Sequence, residues 1–171
     1  MQKYNLEDLS NISKKIKIGG KIVGLCHGVF DVIHAGHISH FEEVKKKCDY
    51  LFVSVTVDSF VNKGPSRPVN SHYFRAKVLD SLSCVDYVGI NYTSDAVKSI
   101  KTIKPNFYFK GMDYMGKKDL TLRLQNEKLA TQKNGGKLIF TNSPLQSSTE
   151  IINKSFSYIF DSKLQKFLST K

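Results

Sequence analysis

The sequence predicts an α/β protein built on an open, parallel, five-stranded sheet with helices on both faces. Two observations predict it. Short apolar runs alternate with helix-period patterns along the 171 residues, the rhythm of strand–helix–strand crossovers. One of those runs, residues 50–57 (YLFVSVTV), is almost continuously β-branched and aromatic, as a strand covered on both faces must be.

Taken in order, residues 21–26 (KIVGLC) read as a short buried strand. Residues 36–47 read as a helix with Ile38, Phe41 and Val44 on one face, and residues 50–57 as the second strand. Residues 71–82 form the next helix, with Ser71 as N-cap and Phe74, Val78 and Leu82 inward. A strand near 85–90, a helix near 95–103 and a strand at 106–110 (NFYFK) follow. A polar helix near 118–133 is stopped by Asn134-Gly135-Gly136. A strand at 137–141 and a helix at about 148–160 complete the pattern, and residues 161–171 read as a tail or short helix. Residues 1–160 are thus expected to form a single domain. Such sheets bind ligands beyond the carboxyl ends of their strands, where the strand order reverses, so the segments after each strand are where chemistry belongs.

The composition agrees with one folded domain: 40% hydrophobic residues supply a core and 24% charged residues a soluble surface. No run of 18 apolar residues suggests a membrane span, and MQKYNLEDLS has no apolar core of a secretory signal. Cys26, Cys48 and Cys84 form no CxxC pair and read as buried thiols of a reducing, cytoplasmic compartment. The net charge of +11 suits nucleic acid, acidic lipid or a small polyanion such as a nucleoside triphosphate. The basic residues are dispersed, and no RNP-type aromatic motif, zinc finger or basic heptad arm accompanies them, so charge does not single out nucleic acid.

The segment after the first strand is Cys26-His27-Gly28-Val29-Phe30-Asp31-Val32-Ile33-His34-Ala35-Gly36-His37. Gly28 and Gly36 let the backbone turn and a ligand come close. His34 and His37, three apart at a helix entry, place their rings on one side near free N–H groups and the positive end of the helix dipole. That arrangement suits a triphosphate and the charge that develops in phosphoryl transfer. Half of a metal site is the alternative, but no third ligand stands at suitable spacing.

The run GVFDVIHAGH resembles the signature of the cytidylyltransferase-like nucleotidyltransferases, which are built on a Rossmann-like sheet. The resemblance implies that His34 and His37 contact the NTP phosphates and stabilise the transition state, with Gly28, Val29, Phe30, Asp31 and Gly36 as nucleotide-binding positions. Lys63-Gly64-Pro65-Ser66-Arg67-Pro68-Val69-Asn70 resembles the K-G-x-x-R-P-V-N run of the family's sugar-phosphate branch, which includes the heptose-phosphate nucleotidyltransferase domain. Lys63 and Arg67 are then candidate phosphate clamps, where two solvated loop cations would be the plain alternative. Arg75 matches a family arginine that approaches phosphate. Ser83 to Val88 matches the same branch but reads as structural, because it feeds a strand.

Lys110-Gly111-Met112-Asp113-Tyr114 resembles the family's K-G-x-D-Y motif, which lines the base and ribose pocket, and the expected strand order sets it beside the histidines. A plain βα turn is the alternative there. Ser147, Ser148 and Thr149 fit the family's I-S-T-T-type motif at the triphosphate, although Ser147 and Glu150 are also spaced as a capping box. Thr141-Asn142-Ser143-Pro144 lacks the arginine that glycerol-phosphate members carry there.

The resemblance, over about residues 20–155, implies transfer of a nucleoside monophosphate to a phosphorylated sugar, polyol or amino alcohol, with pyrophosphate released. CTP is the donor expected first, and ATP with a heptose phosphate is the rival. A nucleotide-binding module without catalysis is the non-enzyme alternative. Mg²⁺ is expected as an ion held mainly by the NTP phosphates, with no metal ligands of the protein's own, and Asp31 within its reach through water. His27 could meet the acceptor or simply pack. Family members are often dimers, so a homodimer fits the resemblance.

Overall fold

The fold is given by a computed structural model that describes residues 5–64, 66–111 and 118–142. The elements are α1 (Leu6–Ile18), β1 (Val23–Gly28), α2 (Ala35–Lys45), β2 (Tyr50–Thr56), α3 (His72–Asp80), β3 (Tyr87–Asn91), α4 (Val97–Ile103), β4 (Phe107–Gly111), α5 (Lys118–Lys133) and β5 (Lys137–Thr141). The five strands form one parallel sheet in the order β3-β2-β1-β4-β5. The chain starts at the centre, moves out to one edge, and returns across β1 to build the other half. The reversal therefore lies between β1 and β4, where the carboxyl ends open a crevice.

Strand alternation divides the core between the two faces. Leu25, Phe52 and Tyr108 join the cluster that includes Leu6 and Leu9 of α1, Ile100 and Ile103 of α4 and Ala130 of α5. Cys26, Val53 and Phe109 join the opposite cluster with Phe41 and Val44 of α2 and Ala76 and Leu79 of α3. Cys26 and Cys48 are buried free thiols, whereas Cys84 is only partly covered. The run that feeds β3 is structural, as expected: Asp86 accepts from the Leu51 N–H at 2.6 Å and from Lys45 Nζ at 2.5 Å. The expected helix at 148–160 lies outside the described residues.

Two expectations need correction. First, α3 does not turn Phe74 and Val78 inward; they are 65% and 45% exposed. The buried face is Arg75, Ala76 and Leu79, because Arg75 is drawn inside by acceptors described below. Second, no element was expected before residue 21, yet α1 occupies Leu6–Ile18. Asn5 Oδ1 caps it by accepting from the Glu7 N–H, and its first and last turns carry acidic and basic residues that suit the dipole. It docks on β3 at Gly89, where a Cβ would lie 2.8 Å from Leu9 Cδ1. It also closes the end of α4: Ser13 Oγ and Lys17 Nζ donate to the carbonyls of Ile103 and Lys104 at 2.7 and 2.8 Å.

Gly89→Val should therefore push α1 off the sheet edge and cost about 1–3 kcal/mol, as overpacking does. A lower urea midpoint at unchanged slope is the expected reading. An unchanged midpoint would show that α1 is not held at that point.

Candidate active site

The segment joining β1 to α2 is shaped by a ring lying over a glycine. The Phe30 ring covers Gly28 so closely that a Cβ there would sit 2.9–3.2 Å from three ring carbons. To reach that position Phe30 adopts φ +51°, a left-handed conformation that costs a bulky L-residue about 1–2 kcal/mol. The ring then meets His37 edge-on at 5.3 Å and Phe41 at 5.4 Å. It forms the apolar back wall of the histidine pair.

His34 stands at the N-cap of α2 with extended backbone and makes no side-chain cap. His37 lies in the first turn, and the two imidazoles stack at 3.8 Å between centroids. The first turn of α2 carries no acidic residue, so the positive end of the helix faces the site uncompensated from within the helix. Among the described residues, both ring nitrogens of His34 and Nδ1 of His37 are shut from solvent and have no hydrogen-bond partner. Such buried orphans are rare in folded proteins and call for a partner, such as a ligand, an ion or a water. Burial pushes the His37 pKa down to about 3, with the neighbouring His34, His40 and Lys63 acting the same way. Burial and Lys63 also lower that of His34. Lys63 in the exposed loop after β2 is thus close enough to be felt by both rings.

Other sequence-predicted residues occupy different positions. Arg75 is 1% exposed and is not free to clamp a phosphate. Its Nε donates to the Asn70 carbonyl at 2.9 Å, Nη1 to the Val29 carbonyl, and Nη2 to the Thr56 carbonyl at 2.8 Å and to Asp58 Oδ1 at 2.6 Å. Asp58 also pairs with His72 at 2.7 Å. Burial works against its charged form, but the bonds from Arg75 and His72 prevail and hold its carboxyl below the usual value. Asp31 is fully buried and accepts from Arg67 Nε at 2.5 Å and the Val69 N–H at 2.6 Å, so it anchors the loop after β2 and is not positioned to reach a metal ion. With both carboxylates committed to arginines, no described side chain here is placed to hold Mg²⁺.

His27 faces the other side of the sheet. Its Nδ1 lies 2.8 Å from Ser54 Oγ, and burial, aided by Lys110 and Arg123, lowers its pKa to about 3. It is a packed, neutral imidazole. Lys110 is 4% exposed, with Nζ 3.2 Å from Glu127 Oε2; the same carboxylate accepts from Tyr108 Oη at 3.0 Å and from the Ala96 N–H at 3.1 Å. Lys110 is therefore drawn under the sheet end and not out to a nucleoside, and the surface of that run begins at Gly111. Gly111 pairs with Thr141 across β4 and β5. Asp113, Tyr114, Ser147, Ser148 and Thr149 lie outside the described residues. The partnerships of Asp58 and Glu127 were missed from sequence, since their partners stand 14–17 and 17–31 residues away with no local spacing signal.

The chain resembles known proteins in sequence and in fold. A family model described as cytidylyltransferase-like matches residues 25–154. The chain is 36% identical over 152 residues to a bifunctional protein HldE of Campylobacter fetus subsp. fetus, covering 88% of this chain and 30% of the relative. It is 38% identical over 115 residues to the HldE of Nitratiruptor sp., covering 66% and 25%. The chain thus spans less than a third of the length of these curated relatives. A lipopolysaccharide core biosynthesis protein from Thermoplasma volcanium GSS1 has the same fold, with a TM-score of 0.60 and 27% identity over 74% of this chain and all of that one.

The depressed histidines predict a pH dependence. Between about pH 3 and 6.5 the unfolded chain holds protons on His27 and His37 that the native protein lacks. Their contribution to stability is complete above pH 6.5 and falls as the pH drops toward 3. The slope is about 2.7 kcal/mol per pH unit for the pair. Urea midpoints from pH 7.5 to 5 should fall accordingly, and His37→Gln should remove about half of the dependence. A profile unaltered by that substitution would mean that the His37 ring titrates normally.

Proposed function

The chain belongs to the cytidylyltransferase-like family of nucleotidyltransferases, and on that premise we propose that it transfers the adenylyl group of ATP to a heptose 1-phosphate and releases pyrophosphate. The observation that carries the transfer chemistry is the stacked pair His34 and His37 at the start of α2, with buried ring nitrogens unpartnered among the described residues. The CTP expected first gives way to ATP because the HldE relatives fall on the heptose-phosphate branch to which the run from Lys63 to Asn70 points. The likeness to a lipopolysaccharide core biosynthesis protein supports a saccharide acceptor.

The reaction proposed is a single in-line displacement. An oxygen of the acceptor's phosphate attacks the α-phosphorus of ATP and forms the new P–O bond. The bond from that phosphorus to the oxygen bridging to the β-phosphate breaks, and its electron pair leaves with pyrophosphate. No protein nucleophile is needed; positioning and charge neutralisation are. His34 and His37 supply N–H donors to the phosphates. An arriving polyanion raises their depressed pKa values, so the rings take up protons when negative charge must be offset. Lys63 adds a mobile cation from the neighbouring loop. Asp113 and Tyr114 are proposed to hold the nucleoside and Ser147, Ser148 and Thr149 the terminal phosphates. Mg²⁺ would arrive on the phosphate oxygens and lower their charge. A cytoplasmic setting, where ATP and reduced thiols coexist, suits this reaction.

Pyrophosphate release is the direct test, with each common NTP, Mg²⁺ and a panel of phosphorylated sugars and alcohols. ATP with heptose 1-phosphate is the pair expected to react. Release with CTP and a polyol or amino-alcohol phosphate would overturn the donor and acceptor proposed here. In the reacting pair, His37→Ala should lower kcat about 100- to 1000-fold with little change in the KM for ATP. A raised KM at unchanged kcat would leave His37 a binding role alone.

A further inference from the structure

We propose that Arg67 is the acceptor-recognition residue: its Nη2, which has no hydrogen-bond partner among the described residues, takes up the phosphate monoester of the second substrate, not the triphosphate. The inference rests on the nucleotidyltransferase reading above and deepens it.

The Arg67 side chain is 7% exposed. Its Nε is bound to Asp31 at 2.5 Å. Its Nη2 is closed off from solvent and has no hydrogen-bond partner among the described residues. A buried guanidinium N–H without an acceptor costs more than most polar defects, so its position is explained when an acceptor arrives with the ligand. The side chain is also preorganised. Asp31 takes two donors from the loop, Arg67 Nε and the Val69 N–H, and its backbone carbonyl takes Asn70 Nδ2 at 3.5 Å. Ser66, immediately before, is held at φ +56°. The fork is thus aimed before any ligand binds, the condition under which an arginine reads phosphate by direction.

Sheet order and charge assign the acceptor and not the NTP. Across the carboxyl edge the order is the loop after β2, then the histidine pair after β1, then Gly111 after β4. A nucleotide whose phosphates meet His34 and His37, and whose nucleoside lies toward β4 in the reversal crevice, leaves the β2 side for the second reactant. That is where Arg67 stands. Moreover, the Asp31 carboxylate offsets the charge of Arg67 locally. A paired guanidinium offers a directed donor with little net positive field, which suits a monoester and is poorly matched to a triphosphate of much higher charge.

The test titrates two probes separately into wild type, Arg67→Lys and Arg67→Gln by calorimetry. The probes are a non-hydrolysable ATP analogue with a methylene between the α- and β-phosphates, and heptose 1-phosphate or inorganic phosphate added to the analogue-loaded protein. Circular dichroism and the Tm establish that each variant folds; Arg67→Lys keeps the charge and the pairing with Asp31 should a neutral variant fail. The expected result is at least a tenfold loss of monoester affinity in each folded variant, with analogue affinity within twofold of wild type. A loss of analogue affinity with monoester binding intact would make Arg67 a triphosphate ligand and overturn the proposal. So would unchanged affinity for both probes, or a wild type that binds neither heptose 1-phosphate nor inorganic phosphate. Failure of the function itself reads out separately, as a wild type that releases no pyrophosphate with any donor and acceptor.

Discussion

The site depends on one buried arginine. Arg75 crosses from α3 to the carboxyl ends of the first two strands and binds there to three carbonyls and a carboxylate that belong to four stretches of chain. Val29 leads into the histidine segment, Thr56 ends β2, Asp58 opens the loop, and Asn70 closes it. A guanidinium is the one side chain with enough fixed donors to serve all four at once. Burying its charge is tolerable because Asp58 pairs with it and the carbonyls absorb the remaining donors. Truncating it would leave several carbonyls and a carboxylate unpaired together, a defect of about 3–5 kcal/mol. The loop carrying Lys63 and Arg67 is thus tied at both ends by a residue that itself has few donors left for a substrate.

A second arginine–aspartate pair completes the frame. Asp31, three residues before His34, holds Arg67 and the Val69 N–H. Two acids that might have sat beside the triphosphate are therefore committed to the protein's own cations. What remains at the start of α2 is a helix end without a first-turn acid, two stacked imidazoles and the nearby Lys63. The consequence is electrostatic: carboxylates that would repel a polyanion do structural service, which under the proposed function leaves the imidazoles and Lys63 to meet it.

The fold was largely legible from sequence because buried parallel strands announce themselves as apolar runs and the crossover rhythm admits few topologies. The histidine pair was legible for a related reason: its members sit three apart on one helix end, so local geometry alone brings them together. Residues whose partners lie far along the chain were not legible. Arg75 was assigned to phosphate and is occupied by the backbone. Lys110 was assigned to the nucleoside and is held by Glu127 of α5. Nothing within a few residues of either distinguishes a cation that greets a ligand from one that closes a core; the acceptors decide, and those are assembled by the sheet. The inward face of α3 was misread on the same account, since an amphipathic pattern assumes that arginine points out. The first helix failed differently: Leu6, Leu9 and its cap were present, but their mate is the absent side chain of Gly89, eighty residues later.

The neutrality of the stacked histidines has a physical logic. Two cationic imidazoles stacked at 3.8 Å beside Lys63 would repel one another strongly in a partly buried site, so a permanently charged clamp would destabilise the fold that carries it. Under the proposed function, rings that stay neutral until an anion arrives would avoid that cost and become charged when the ligand offsets the repulsion. Attraction at longer range would not require them, because the dispersed excess of basic residues, +11 overall, suits the approach of a polyanion. Capture would then rest on surface charge and selection on directed donors. Within the proposed scheme donor and acceptor would be told apart by the direction of individual N–H groups, and the discrimination between two phosphorylated substrates would lie in the geometry of His34, His37 and Arg67.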